Sequence, residues 1–265
     1  MQTEKIVDYI ANWLKDYATK ANMNGFVVGI SGGIDSAVCS ALCAKTGLRT
    51  LCLEMPIHQD TSHVTRAQTH IQMLKHHYAN VSNVEVNLTP VFENFKSTLP
   101  SAETSEKHTL DLALANSRAR LRMTTLYYFA GLHGYLVAGT GNKVEDFGVG
   151  FFTKYGDGGV DLAPIADLMK SDVYEIGRFL GVPEEILQAP PTDGLFGDSR
   201  SDEVQLGASY DELEWAMEMQ EQGKQEEQFS GRELEVFNIY NRLHIRNRHK
   251  MDPLPVCKIP VHLKN

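Results

Sequence analysis

The residues most able to do chemistry in this chain form one loop, Gly29-Ile30-Ser31-Gly32-Gly33-Ile34-Asp35-Ser36. Two adjacent glycines permit a tight turn and close backbone approach, and successive N–H groups at a helix start add positive potential, so the loop suits a phosphate or pyrophosphate. Ser31 and Ser36 add hydroxyl donors. No Lys follows the second glycine, so this is not a Walker A loop, and it is not G-x-G-x-x-G either. On its residues alone it also reads as a Gly-rich βα turn in which Asp35 is only a helix cap. Other reactive side chains form no pattern. Ten histidines include no H-E-x-x-H, and Met73 to Tyr78 (MLKHHY) lacks a third metal ligand. Cys39, Cys43, Cys52 and Cys257 match no zinc or redox spacing and are expected to be buried reduced thiols in a cytoplasmic protein.

Several elements must position that loop. Gly25 to Ile30 (GFVVGI) is a continuous apolar, β-branched run, as a strand buried on both faces requires, and Thr50 to Met55, Asn83 to Leu88 and Tyr135 to Ala138 repeat the pattern. Helical periodicity fills the intervals at about 35–45, 60–78 and 107–132, and residues 3–22 carry an apolar face at Ile6, Val7, Ile10, Trp13, Leu14 and Tyr17. Strands alternating with helices predict an α/β fold, a doubly wound, Rossmann-like parallel sheet. Ligands of such sheets bind beyond the strand C-termini, here just after Ile30, Met55 and Ala138. Beyond residue 160 helices are expected at 168–180, 210–222 and 230–248, with a polar, Gly-containing lid at about 194–203. The chain thus reads as one domain: a helix at 1–24, a nucleotide-binding core at 25–165 and a helical part at 166–265.

Composition sets outer limits. The chain has 265 residues and a formal net charge of −9, which argues against a general polyanion-binding role such as nucleic-acid binding. No run of 18 apolar residues exists and the N-terminus carries charges at helical spacing, so no membrane span or secretion signal is expected.

S-G-G-x-D-S after the first strand resembles the loop of the N-type ATP pyrophosphatases, which have an adenine nucleotide alpha hydrolase-like fold. Ala138 to Asp161 (AGTGNKVEDFGVGFFTKYGDGGVD), Arg118-Ala-Arg-Leu-Arg122-Met, Pro191-Thr-Asp-Gly-Leu195 and Arg248-His-Lys-Met251 narrow the resemblance, over roughly residues 5–255, to the NAD synthetases. The resemblance implies ATP-dependent amidation of deamido-NAD to NAD by ammonia, through an acyl adenylate, with release of AMP and pyrophosphate.

It also implies roles. Gly29, Ile30, Ser31, Gly32, Gly33, Ile34, Asp35, Ser36, Thr140, Lys170 and Thr192 would contact ATP. Asp35 and Glu145 would hold Mg²⁺, a hard cation suited to carboxylate oxygens. Without the resemblance, Glu145 reads as a first-turn helix acid and Lys170 as a solvated helix lysine. Arg120, Lys154, Asp161, His249 and Lys250 would bind deamido-NAD, with Lys170 and Asp161 catalytic, Asp161 near the pyridine ring or the incoming ammonium. Arg118 and Arg122 cannot share a helical face with Arg120 and are read as surface or subunit contacts.

Glutamine-using members carry an amidase domain before the loop, whereas about 28 residues precede Gly29 here, so free ammonia is the expected donor, and a separate glutaminase partner stays open but is not indicated. Small members resemble homodimers. Two rivals stay open: another ATP pyrophosphatase with a different acceptor, and a non-catalytic adenine-nucleotide sensor, which would dispense with the metal carboxylates.

Overall fold

The computed structural model describes residues 1–59, 61–100, 107–191 and 202–264. Four parallel strands, β1 (Gly25–Gly29), β2 (Arg49–Glu54), β3 (Val81–Glu85) and β4 (Leu136–Val137), form a sheet in the order β3-β2-β1-β4. Val27 pairs with Leu51 on one side and Val137 on the other.

The continuous apolar runs are explained by burial on both faces. Phe26, Val28, Ile30 and Cys52 pack towards α1 (Thr3–Lys20), α2 (Ile34–Lys45), α3 (Thr61–His77) and α6 (Lys170–Phe179). Val27, Leu51, Leu53 and Val137 pack towards α4 (Thr89–Thr98) and α5 (Lys107–His133), through Phe92 and Ala130. Helices therefore cover both faces, as parallel pairing demands. Strand order reverses at β1: the chain steps outward through β2 to β3, then returns through α4 and α5 to place β4 on the other side of β1, and the Gly29 to Ser36 loop leaves β1 at that switch point.

A third apolar cluster lies beyond the sheet. Val144 and Val149 of a π-helical segment (Lys143–Val149) pack on Leu213 and Met217 of α9 (Tyr210–Glu221) and on Val236, Phe237 and Tyr240 of α10 (Gly231–Met251). Short helices α7 (Glu184–Leu187) and α8 (Asp202–Leu206) complete the α-helices among the described residues.

Some expectations shift. The third strand begins two residues earlier than its apolar run and ends at Glu85. The fourth shrinks to two residues plus an isolated bridge from Ala138 to Leu162. Neither α4, a ten-residue helix started by Pro90, nor the π-helical segment was expected. Cys39, Cys43 and Cys52 are buried, but Cys257 is exposed on the C-terminal segment, so the expectation of four buried thiols is corrected. The lid expected at 194–203 lies, except for Asp202 and Glu203, outside the described residues, as does Thr192.

Candidate active site

The loop between β1 and α2 is folded by its own hydroxyls. Ser31 Oγ accepts from Gly33 N–H at 3.2 Å and lies 3.1 Å from Ser36 Oγ, which donates to Gly33 O at 3.0 Å. Gly32 has φ +83°, a left-handed conformation, and a Cβ there would lie 2.5 Å from His63 O, so the position needs glycine twice over. Gly33 is the N-cap of α2 and no side chain caps it, which leaves the helix-start N–H groups facing the cleft.

Asp35 is therefore not a cap. Its Oδ1 accepts from Asn142 Nδ2 at 3.0 Å and its Oδ2 from Lys170 Nζ at 2.6 Å. Lys170, the first residue of α6, also donates to Glu145 Oε1 at 2.9 Å, and Tyr210 donates its hydroxyl to the same oxygen. Asn142 closes the arrangement by accepting Glu145 N–H at 3.1 Å. Lys170 is only 3% exposed, so it is no solvated helix lysine.

Charges in this cluster support one another. Burial opposes the ammonium of Lys170, but Asp35 and Glu145 outweigh it and raise its pKa. Burial also opposes ionisation of Glu145, yet Lys170 and the Tyr210 hydroxyl hold its carboxyl below the usual range. At Asp35 burial dominates over Lys170 and the pKa rises. Asp157, on the same cleft, is pushed up by burial to about 6 although backbone N–H groups hold it down.

A cavity of ≈ 250 Å³ opens over the loop. It is bounded by Ser31 to Ser36, by Met55 beyond β2, by Thr140 and Glu145 beyond β4, and by Lys170, which brings together the three strand ends expected to carry chemistry. Sequence reasoning missed Gln59, Arg66, Arg122, Asn142, Asp157 and Tyr210 at or beside this cavity. The expectation for Arg122 is corrected: it lines the cleft and donates to Met55 O at 3.1 Å and Gln59 Oε1 at 3.3 Å. Arg118 turns inward as well, over the Phe92 ring at 4.5 Å. Being four residues apart they share the sheet-facing side of α5, and only Arg120 points outwards.

The remaining expected residues gather elsewhere. Arg120 donates to Lys154 O at 3.3 Å, Lys154 Nζ donates to His249 O, and Lys250 Nζ donates to Gly150 O and Phe152 O. They cluster along the 150–157 segment, whose Gly156 and Asp157 line the cleft. Asp161 is exposed and outside the cavity lining, fixed by Tyr127 Oη at 3.0 Å and Val137 N–H at 2.8 Å. Burial and the Asp161 charge push the Tyr127 hydroxyl up to about 12.

The NAD synthase family matches residues 6–253. The chain belongs to that family. A relative named NH(3)-dependent NAD(+) synthetase, from Methanosarcina acetivorans, is 34% identical over 98% of this chain and 100% of its own. Another of that name, from Carboxydothermus hydrogenoformans, is 42% identical over 80% and 83%. Among solved structures, an NMN synthetase from Francisella tularensis superposes with TM-score 0.84 at 33% identity, covering 98% of this chain and 100% of that one. An NH3-dependent NAD synthetase from Campylobacter jejuni shares the fold, with TM-score 0.76 at 23% identity over 97% and 100%.

Proposed function

We propose that this NAD synthase family member amidates deamido-NAD to NAD with ammonia, using ATP. The observation that carries the reading is the buried Asp35–Lys170–Glu145 cluster set against an uncapped helix start and a Ser-Gly-Gly loop, an arrangement built for a polyphosphate. The relatives named for ammonia support the nitrogen donor.

ATP would lie with its phosphates on Ser31 to Ser36, near Thr140 and Lys170, with Thr192 a further contact. An oxygen of the nicotinate carboxylate attacks the α-phosphorus, the bond to the β-phosphate bridging oxygen breaks, and pyrophosphate leaves. Ammonia nitrogen then bonds to the activated carbonyl carbon, the carbon–oxygen bond to AMP breaks, and a proton leaves the nitrogen. The Lys170 ammonium would offset charge developing on the α-phosphate oxygens. Asp161, held rigid by Tyr127 and Val137, would orient the pyridine ring or the ammonium, while Arg120, Lys154, His249 and Lys250 would bind the anionic dinucleotide.

The donor set fits Mg²⁺. Asp35 and Glu145 present two hard carboxylates that already grip a cation, the Lys170 ammonium, and Mg²⁺ is commonly held by one or two carboxylates together with substrate phosphates. Bound there, it would neutralise phosphate charge.

A second reading concerns the acceptor. The high similarity to an NMN synthetase favours a nicotinate mononucleotide in place of the dinucleotide, with the same bond changes. A homodimer is supported by apolar side chains left outward on α5, among them Tyr128 and Leu132. Buried thiols at Cys39, Cys43 and Cys52 support a cytoplasmic location.

The test is chromatographic. Protein with Mg·ATP is given deamido-NAD or nicotinate mononucleotide, each with ammonium or glutamine. NAD with equimolar AMP, from deamido-NAD and ammonium alone, is the expected result. Faster turnover of the mononucleotide selects the second reading, and no AMP with either acceptor overturns both.

A further inference from the structure

The cleft has a charge deficit that its buried cluster does not meet. Lys170 is already shared between two carboxylates, so Asp35, Glu145 and Lys170 together carry a formal charge of −1. Mg²⁺ held by the two carboxylates would offset this charge where it binds, but phosphates lying over the Ser31 to Ser36 loop would have only the loop N–H dipoles beside them.

One cation on the cleft is placed to meet it. Arg66, in the second turn of α3, donates Nε–H to Gly32 O at 3.2 Å and lines the same cavity as Ser31 to Ser36. That bond fixes the guanidinium plane against the loop. Among the described residues the two terminal nitrogens have no hydrogen bond or ion pair. Helix α3 lies directly against the loop, with the His63 carbonyl too close to Gly32 to admit a Cβ. Arg122, the other arginine of the lining, spends donors on Met55 O and Gln59. A guanidinium anchored through Nε with its outer fork free has the geometry for bidentate contact with phosphate oxygens.

We propose that Arg66 is a phosphate-binding residue of this site: its terminal nitrogens take the β- and γ-phosphates of the nucleotide and hold the pyrophosphate those phosphates become. The inference rests on the ATP-adenylating reading above. It separates two duties in the cleft: Lys170 serves the carboxylate cluster and the α-phosphate, and Arg66 serves the leaving group.

The test uses Arg66→Gln and Arg66→Lys in the full chain. A charge-assisted bond contributes about 1.5–3 kcal/mol, or roughly 10- to 100-fold in affinity. Arg66→Gln is therefore expected to raise both KM for ATP and the pyrophosphate inhibition constant by that factor. KM for the nicotinate nucleotide and for ammonium should stay within about twofold. Arg66→Lys, which keeps charge and loses the fork, should fall between. A readout independent of turnover is the rise in Tm that inorganic pyrophosphate gives the protein. It should be large for wild type, small for the Lys variant and absent for the Gln variant. Unchanged pyrophosphate binding in both variants, whatever their ligand-free Tm, overturns the proposal and leaves Arg66 a brace for Gly32. Arg66-dependent pyrophosphate binding in a protein that makes no NAD upholds the inference and sinks the proposed function. NAD synthesis with Arg66-independent pyrophosphate binding does the reverse.

Discussion

Lys170 illustrates how one side chain can serve stability and chemistry at once. Its Nζ lies 2.6 Å from Asp35 and 2.9 Å from Glu145 with almost no exposure. Removing one partner of such a buried arrangement leaves charges uncompensated, whereas removing all of them need not. Lys170→Met is expected to cost about 3 kcal/mol in urea unfolding and to abolish turnover. Adding Asp35→Asn and Glu145→Gln should recover most of the stability and none of the activity. Additive loss across the triple variant would show that the three do not act as one unit. Gly32 is the second informative residue. Gly32→Ala forces both a left-handed backbone and a contact at 2.5 Å, so ATP-dependent turnover should fall at least tenfold, measured alongside Tm.

The elements that carry the loop are tied at a buried polar seam. Ser40 of α2 donates its hydroxyl to Ser36 O at 2.7 Å, so it must accept from His70 Nε2 of α3 at 2.9 Å. The proton is thereby assigned to Nε2, and Nδ1 is left bare and buried. Burial lowers the His70 pKa from 6.5 to about 4, so the imidazole is neutral in the folded protein. The unfolded chain binds this proton first. The stability His70 provides is complete above pH 6.5 and is lost as pH falls towards 4, by up to about 3 kcal/mol. Asp157 acts in the opposite sense, since its raised carboxyl binds a proton more readily when folded. The measurement is thus a difference: urea midpoints from pH 7.5 to 4.5 for wild type and His70→Asn. The wild type should show the steeper fall, and parallel profiles would refute a neutral His70.

At the scale of the whole molecule, α5 stands out. Of its 27 residues only Ala115, Ala119 and Ala130 are fully buried, and Tyr128 and Leu132, one turn apart, are 64% and 61% exposed. A helix this long with an outward apolar stripe suits burial against a second copy. Sedimentation should give a dimer at micromolar concentration, and Tyr128→Glu with Leu132→Glu should give a folded monomer. A monomeric wild type would remove the dimer proposal. Because Arg120 lies on the outward side of α5 and Tyr127 beside Asp161, dimer loss is also expected to raise KM for the nicotinate nucleotide more than KM for ATP.

Sequence alone determined the parallel α/β order, the loop and the three strand ends around it, because patterns of burial and backbone freedom are local and leave a mark on neighbouring residues. GFVVG had to be two-face buried, and Ser-Gly-Gly at a strand end had to turn tightly. What it left undecided are matters of distance between remote segments. Lys170 reads as a surface lysine until α6 is packed on α2 and sets it between two carboxylates that stand 135 and 25 residues away. Arg66 and Tyr210 lie in no motif, and Asn142, although inside the 138–161 block, has nothing in its type or spacing that marks it as a partner of Asp35. Helix α4 and the π-helical segment escaped because each is short and depends on a few buried apolar contacts, Phe92 for one and Val144 with Val149 for the other. Such contacts exist only once the tertiary structure has formed, and they decide which of many charged residues face the cleft.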